Sequence, residues 1–378
     1  MIDFEPSPEA NALAEKVGNF ARDQLGDTPQ DRFPREKWEA CAKAGIFSMG
    51  GAVEHGGEGA AFSSCVHAME ELGYHCAGNG LPFALNCQIW TVQHPIERYG
   101  SEALRSGLLR EMWRGEKIGA HALTEAKSGS DAFAIEAVAE ACEGGYRISG
   151  KKTYISLGPV ADVALVFAST NPGAGKWGIS AFVLDLHSDG VTRFEPREKL
   201  GLTNVPMCDL EFSRVFVPES HRLGPEGAGM SISNASLAVE RCSILSAQLG
   251  AMRRQLQESV AASRQTLRFG KPVSEFQSVS HRVADMRIRL ETSRLLLQKT
   301  AWQIDQGENA MLDAALLKLH LSESFAASSL DAVRNLGAAG YMMDSNPQAD
   351  LRDAIGGLLY AGTSDIQRNL IAQLQTIS

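Results

Sequence analysis

The chain changes texture twice along its length, and that order constrains its fold more than any single residue does. From about residue 8 to 117 the pattern is helical, in polar and apolar mixtures such as PEANALAEKVGNFARDQL and REKWEACAKAGIF, broken by a glycine-rich turn at Gly50 to Gly59. Between about 118 and 224 it switches to short β-rich runs, among them KIGAHALT, YRISGKKTYISL, DVALVFAS, GISAFVLDL and CDLEFSRVFVP, separated by EGG, NPGAG and SDG. No helices alternate with these runs, which predicts antiparallel hairpins rather than a parallel sheet. After Gly229 helical spacing returns: Leu245, Leu249, Met252 and Leu256 repeat on one face, as do Val279, Val283, Met286, Leu290 and Leu297. The expectation is an α+β molecule with an N-terminal α-helical domain over 1–117, a middle antiparallel β domain over 118–225 and a C-terminal helical bundle over 226–378.

At 378 residues the chain is long enough for two or three units around a substantial core. A net charge of -9 leaves no basic footprint, so neither nucleic acid nor an anionic membrane is an expected partner. No stretch approaches a membrane span. The opening MIDFEPSPEANALAEKV is acidic and lacks a basic region followed by an apolar run, so no targeting segment is read there and a cytoplasmic location is expected. Seven cysteines lie scattered without C-x-x-C pairs or histidines at ligand spacing. They predict reduced, mostly buried thiols and no metal site.

Five segments carry chemistry. GAHALTEAKSGSDA at 119–132 reads as a strand followed by a polar turn. An edge strand offers N–H groups to the polar rim of a ring, and Gly129 lets backbone come close to a ligand, although turn chemistry alone also explains the Ser and Asp. KKTYISLG at 151–158 is a strand bearing an aromatic residue, and RFGKPVSEFQSVSHRVADM at 268–286 leads into a helix. RNLGAAGYMMDSNPQADLRDAIGGLLYAGTSDIQRNLIAQ spans 334–373. In SLAVERCSIL at 236–245, Ser236 reads as an N-cap and Glu240 as opening a helix with Ile244, Ala247 and Ala251 on the same apolar face. A carboxylate on an apolar face is either paired or functional.

Together, in order and over essentially the whole chain, these segments resemble the acyl-CoA dehydrogenase family. The resemblance implies a helical domain, a small β domain and a C-terminal four-helix bundle, with FAD as cofactor and a homodimer or homotetramer as assembly. It implies that His121, Leu123, Thr124, Gly129 and Ser130 line the isoalloxazine, Ser130 also approaching substrate, while Tyr154 packs on the flavin and Ser156 bonds it. Leu157 stands where the family usually has Asn. Phe269 and Gln277 match residues that serve the neighbouring subunit's FAD, but the expected phosphate-binding arginine is Thr266, leaving Arg264 or Arg268 to substitute. Arg334, Gly337 and Ala338 would approach the flavin nucleotide from a partner subunit, and Thr363 and Asp365 would touch the local one.

The family's reaction removes the α proton of an acyl thioester while hydride leaves the β carbon for flavin N5. Many members place the catalytic glutamate directly before Gly-Thr-Ser, where this chain has Ala361. A minority branch, including the isovaleryl-CoA and long-chain enzymes, carries it in a Leu-x-x-Glu-Arg context with Ala or Gly at that other position. Leu237 to Arg241 fits this branch, so Glu240 is the expected base, with Arg241 and Ala361 near substrate. Ala238 replaces an aspartate usual in members acting on CoA thioesters, and 280–307 resembles the branch that oxidises prolyl-like aminoacyl groups on carrier proteins. Both CoA and a carrier protein therefore stand as thioester carriers, and an electron-transfer flavoprotein or oxygen as acceptor. Two other readings stay open: a flavin monooxygenase or oxidase of the same fold, and a non-catalytic partner subunit of a hetero-oligomeric dehydrogenase, which Thr266 favours.

Overall fold

The computed structural model describes residues 5–26, 32–132 and 134–376. The N-terminal part is helical: α1 (Pro8–Gln24), α2 (Arg35–Lys43), α3 (Phe62–His75), α4 (Gly80–Asn86), α5 (His94–Tyr99) and α6 (Arg110–Trp113). Ser7 caps α1 by accepting from Ala10 N–H at 3.2 Å, and Pro8 follows with its φ already helical. Between α4 and α5 the chain stays helical but widens into a π-helical stretch, Cys87–Gln93. Such widenings concentrate at functional sites.

Eight strands follow: β1 (Gly119–Ala122), β2 (Val138–Cys142), β3 (Gly145–Ser156), β4 (Val163–Ser169), β5 (Ile179–Asp185), β6 (Val191–Arg193), β7 (Met207–Pro218) and β8 (Arg222–Leu223). They form one sheet in the order β6-β7-β3-β2-β4-β5-β8, with β1 beside β4. Most pairings are antiparallel, but the sheet is mixed. β1 runs parallel to β4, Gly119 opposite Val163 through Ala122 opposite Val166, and β2 touches β4 in the same sense. The β2–β3 hairpin intervenes between β1 and β4 in sequence and turns the chain back to its starting direction, so no alternating helix is needed. β4 is buried along its whole length, as a central strand with a parallel neighbour must be.

The C-terminal part comprises α7 (Gly229–Ser243), α8 (Ser246–Gln265), the small hairpin β9 (Leu267–Arg268) and β10 (Lys271–Pro272), α9 (Gln277–Asp305), α10 (Met311–Leu336), α11 (Ala338–Tyr341), α12 (Asn346–Gly357) and α13 (Ser364–Thr376). α8, α9, α12 and α13 pack around α10. Leu245, Leu249, Met252, Leu256, Met286, Leu290 and Leu297 are all buried, as their spacing predicts.

One difference bears on the site. The sequence pattern starts a helix at Ser236, but α7 begins at Gly229, so Ser236 lies inside it and Glu240 falls in its last turn. GMSISNA is a poor helix former on propensity alone; burial of Ile232 and Ser233 against the sheet and bundle overrides it.

The helical parts interlock where α3 crosses α8. A Cβ on Gly73 would sit 1.8 Å from the Ala247 carbonyl oxygen, and one on Gly250 would sit 2.0 Å from that of Glu70. Both obstacles are backbone, so neither can turn aside. Gly73→Ala is expected to push the helices apart and destabilise the protein by about 3 kcal/mol, read as a lowered melting temperature. An unchanged melting temperature would mean that the crossing is not tight.

Three parts of the chain meet at α12. The Asp353 carboxylate accepts from Leu202 N–H at 2.5 Å and from Asn79 N–H at 3.2 Å, tying the loop before β7 and the start of α4 to one bundle helix. Asp350, one turn earlier, is buried and accepts from Asn79 and Gln255 side chains at 2.8 and 3.0 Å. These bonds set the gap between sheet and bundle in which the candidate site lies.

Candidate active site

Glu240 lies in the last turn of α7, half-buried, near Cys87 of the π-helical stretch and Lys318 of α10. Among the described residues its carboxylate has no hydrogen-bond or ion-pair partner. Burial raises its pKa to about 7, with the Arg241 and Lys318 cations opposing the rise. The last turn of a helix is also the end whose dipole disfavours an anion, so a stabilising first-turn role does not account for this residue.

Its neighbours hold their protons. Burial drives the Cys87 thiol well above its ordinary range, and Glu240 adds to that effect. The Tyr360 phenol is likewise raised by burial, then by Cys87 and Asp353. Arg241 is buried, and its Nε has no partner among the described residues. Lys318 is fully buried and donates to the carbonyls of Gly357 and Gly362, each at 2.8 Å. Burial also lowers the Lys318 pKa to about 8, with Arg241 adding to the fall and Glu240 opposing it, so Glu240 and Lys318 both change charge within reach of neutral pH.

Ala361 lies in the turn that Lys318 holds, with φ of 53°, and Gly362 follows at 84°. A left-handed alanine is uncommon and costs about 1 kcal/mol, so the turn is held by its surroundings. Gln367 contributes by donating to the carbonyls of Ala361 and Gly362, both at 3.0 Å. Thr363 closes the turn by accepting from Ile366 N–H at 3.2 Å, capping α13.

Beside this cluster an apolar slot of about 330 Å³ opens between sheet and bundle, lined by Ser156, Leu202, Met207, Ile355, Leu359 and Tyr360 among others. Leu359 and Leu200 are 63% and 59% exposed at its mouth, a state natural for side chains that a flat ring would cover. Gly356 and Gly357 bring no side chain into this gap, and a Cβ at either would make only ordinary contacts. These features fit a planar, largely apolar cofactor with a polar rim.

The expected ring-binding residues lie on the neighbouring edge. His121 lies in β1 against Phe167 and is held neutral, its pKa lowered to about 4 by burial and then by Lys152. Leu123 and Thr124 come directly after the strand's end at Ala122. Thr153 N–H donates to the Thr124 carbonyl at 2.9 Å, and Lys152 Nζ donates to the Leu123 carbonyl at 3.1 Å. Lys152 also pairs with Glu125 at 2.7 Å, with both side chains buried. The two strand motifs are thus clamped together by a buried ion pair inside them.

Tyr154 departs from the simple strand picture. It sits in the irregular stretch between Lys152 and Ile155 of the β3–β7 ladder, with φ of 58°. The irregularity turns its ring off the sheet, 58% exposed, with the Arg197 guanidinium 4.9 Å from the ring centre. Tyr154 therefore opens onto a concavity with Arg197 and Asp209, while Ser156 alone of the two faces the apolar slot. Leu157, where Asn is usual, has φ of 63°: Asn tolerates the left-handed region best after Gly, and here a buried Leu occupies it.

Gly129 and Ser130 are exposed, and a Cβ at Gly129 would meet no atom within 4 Å. The chain itself does not require glycine there. Arg268, Phe269 and Gln277 lie exposed on the β9–β10 hairpin and the start of α9, and make no hydrogen bond to the Glu240 cluster. Phe269 is 95% exposed. Arg334, Gly337 and Ala338 are exposed at the end of α10, Arg334 leaning on Asp331 at 3.5 Å. Asp365 is exposed and pairs with Arg368 at 3.3 Å. Within one chain these residues do not join the Glu240 cluster. Sequence reading missed Cys87, Lys318, Tyr360 and the Glu125–Lys152 pair. The signal for that pair was a Lys among apolar strand positions and a Glu one residue past Thr124.

The chain matches models of the acyl-CoA dehydrogenase N-terminal domain over residues 7–116, middle domain over 120–215 and C-terminal domain over 227–375. It is 35% identical to the L-prolyl peptidyl-carrier-protein dehydrogenase of Pseudomonas fluorescens over 98% of this chain and 99% of that protein. Among solved structures, the prolyl acyl carrier protein oxidase AnaB superposes with a TM-score of 0.96 at 32% identity, covering 98% of this chain and 100% of AnaB. The FAD complex of PigA gives 0.96 at 33% identity over the full length of both chains. Three domain models matched in order along nearly the whole chain, with full-length relatives above 30% identity, identify this chain as a member of the acyl-CoA dehydrogenase family.

Proposed function

We infer that this chain is an FAD-dependent dehydrogenase of acyl thioesters, with Glu240 as the base. The observation that carries the reading is the half-buried Glu240 carboxylate, without a hydrogen-bond or ion-pair partner among the described residues and raised by burial to about 7, while the Cys87 thiol beside it stays protonated. FAD, held at the ring edge, would supply the acceptor for the hydride released from the β carbon. Glu240 takes the α proton, and Arg241 and Lys318 favour the charged form it must have beforehand. Partial burial of the carboxylate raises its basicity. Ser156, His121, Leu123 and Thr124 would hold the ring edge, while Gly129 and Ser130 leave room beside it; Tyr154, turned onto the concavity with Arg197 and Asp209, is not placed to pack on the ring. Thr363 and Asp365 serve the local nucleotide.

The acyl group is a prolyl-like aminoacyl unit on a carrier protein. Ala238 and the prolyl-carrier-protein dehydrogenase activity of the Pseudomonas fluorescens relative support this. The deciding experiment presents one acyl group as its CoA and its carrier-protein thioester and follows anaerobic bleaching of the flavin. Reduction by the CoA form alone would overturn the carrier assignment. Oxygen as acceptor is favoured by the likeness to an oxidase, and is tested by oxygen uptake against turnover with an electron-transfer flavoprotein.

The protein acts as a homo-oligomer in the cytoplasm. Exposed Leu267, Phe269, Tyr341 and Met343 support the first reading, since a second copy would cover them. In that assembly Arg268, Phe269, Gln277, Arg334, Gly337 and Ala338 face the partner's cofactor, Arg268 replacing the arginine absent at Thr266. Seven free cysteines, five of them buried, support a reducing compartment.

The pH dependence follows from Glu240. Its raised folded-state pKa means that the proton is still present below about 7 and leaves above it. The rate of flavin reduction is expected to rise with pH through that point and to fall about tenfold per unit well below it. A flat profile from about pH 5.5 to 8.5 would exclude Glu240 as the group that must be ionised.

A further inference from the structure

We propose that Phe83 and Tyr360 set the size of the acyl group, closing the inner end of the slot so that only short or compact acyl units are oxidised. The inference rests on the reading of the chain as an acyl-thioester dehydrogenase with Glu240 as the base. Phe83 lies in α4, outside every segment singled out in the sequence, and Tyr360 lies in the turn after α12.

The two rings meet where the N-terminal part joins the bundle. Their centres are 4.7 Å apart with the planes at 45°, close enough that no alkyl chain passes between them. Both line the apolar slot, which runs from exposed Leu200 and Leu359 at its mouth to Phe83, only 5% exposed, at its inner end. Behind Tyr360 the space is filled. A Cβ on Gly357 would come within 3.5 Å of both the Tyr360 hydroxyl and the Leu245 side chain. Leu245 directly follows the C-cap of α7, so the pair stands between the slot and the end of the helix that carries Glu240.

Neither ring is free to turn aside. Phe83 N–H donates to the Asn79 carbonyl at 3.0 Å in the first turn of α4, and Asn79 N–H donates to Asp353 of α12 at 3.2 Å. Tyr360 N–H donates to the Gly356 carbonyl at 3.1 Å, and a Cβ on Gly356 would already lie 3.4 Å from the edge of the Tyr360 ring. Asp353 thereby ties together the two elements that present the pair. On its other side Phe83 leads toward the base: its carbonyl accepts from Cys87 N–H, one turn on, where α4 widens into the π-helical stretch that packs against α7.

An acyl group whose α carbon reaches Glu240 and whose β carbon meets a ring in the slot has its remaining atoms directed at this wall. The reacting atoms fix one end of the group and the aromatic pair fixes the other. Each further methylene gains less by its own burial than displacing a packed aromatic ring costs, so a longer chain does not push the wall open. A prolyl ring extends no further from its α carbon than a butyryl chain does, and it meets the same limit.

The test compares butyryl and octanoyl thioesters, each on CoA and on a carrier protein, by the ratio of their kcat/KM values for anaerobic flavin reduction. Wild type is expected to favour butyryl by at least about 100-fold, and Phe83→Ala to raise the octanoyl-to-butyryl ratio by at least about tenfold. Phe83→Leu removes less volume, gives an intermediate ratio and serves if the alanine variant does not fold. The same comparison is made without turnover from the dissociation constants of S-butyl and S-octyl pantetheine, thioethers that lack an acidic α proton. There the octyl form should gain at least about tenfold over the butyl form in Phe83→Ala. A wild type that uses both thioesters equally well, or variants that keep the wild-type ratio, overturns the proposal alone. A wild-type flavin that no acyl thioester reduces overturns it together with the reading on which it rests.

Discussion

Glu240→Gln should leave FAD bound and the fold intact while slowing anaerobic flavin reduction by about 10³- to 10⁴-fold. Glutamine matches the shape of the glutamate and is neutral, so it avoids burying a charge while being unable to take a proton. The slot lined by Ser156, Met207, Leu359 and Tyr360 does not involve the substituted side chain. Flavin content and melting temperature should therefore stay close to wild type. Bleaching at the wild-type rate would show that another group removes the proton. The turn at Ala361 supplies a companion test. Glu240→Gly with Ala361→Glu moves a carboxylate onto a turn already held by Lys318 and Gln367. This double variant should recover part of the rate that Glu240→Gly alone loses, by at least about tenfold. No recovery would mean that the Ala361 position does not reach the reacting carbon.

Much of the architecture was legible because burial follows period. Leu245 to Leu256 and Met286 to Leu297 mark buried helix faces, and the β runs mark strands. The parallel pairing of β1 with β4 was not legible, because strand direction depends on how many reversals lie between two strands that meet. Nor was the start of α7: local propensity argues against a helix through Met230 to Ala235, and contacts from other parts of the chain decide it. In the site, residues inside contiguous motifs, Glu240 and Ala361 among them, could be named as candidates from sequence. Lys318 could not, since its purpose is defined by two carbonyls 39 and 44 residues away in sequence. Tyr154 shows a third limit. Its position was clear from the motif, but the direction of its ring is set by a bulge and a left-handed backbone that no side-chain pattern announces.

Lys152→Met is expected to be the most destabilising single change in the sheet. Lys152 is fully buried, 2.7 Å from Glu125, and also bonds the Leu123 carbonyl, so it joins the β1 segment to β3 at the edge expected to hold the flavin. Burial lowers its pKa to about 8, opposed by Glu125, which keeps the ammonium charged at neutral pH. Removing it strands the Glu125 carboxylate in the interior with two backbone donors, Glu136 N–H at 2.6 Å and Ala137 N–H at 3.1 Å, but no cation. Breaking one side of a buried pair costs about 3–5 kcal/mol. The melting temperature should drop sharply, and FAD should be lost more readily because Leu123 and Thr124 lose their fixed place. Lys152→Met combined with Glu125→Gln isolates no charge and keeps the shape of the acceptor, so it should regain part of the stability lost by the single variant. Thermal unfolding of the three proteins, each with and without excess FAD, separates the two effects. If Lys152→Met unfolds within about 1 kcal/mol of wild type, the pair does not clamp the motifs. If the double variant is no more stable than the single one, the loss comes from the hydrogen bond to Leu123 rather than from the stranded carboxylate.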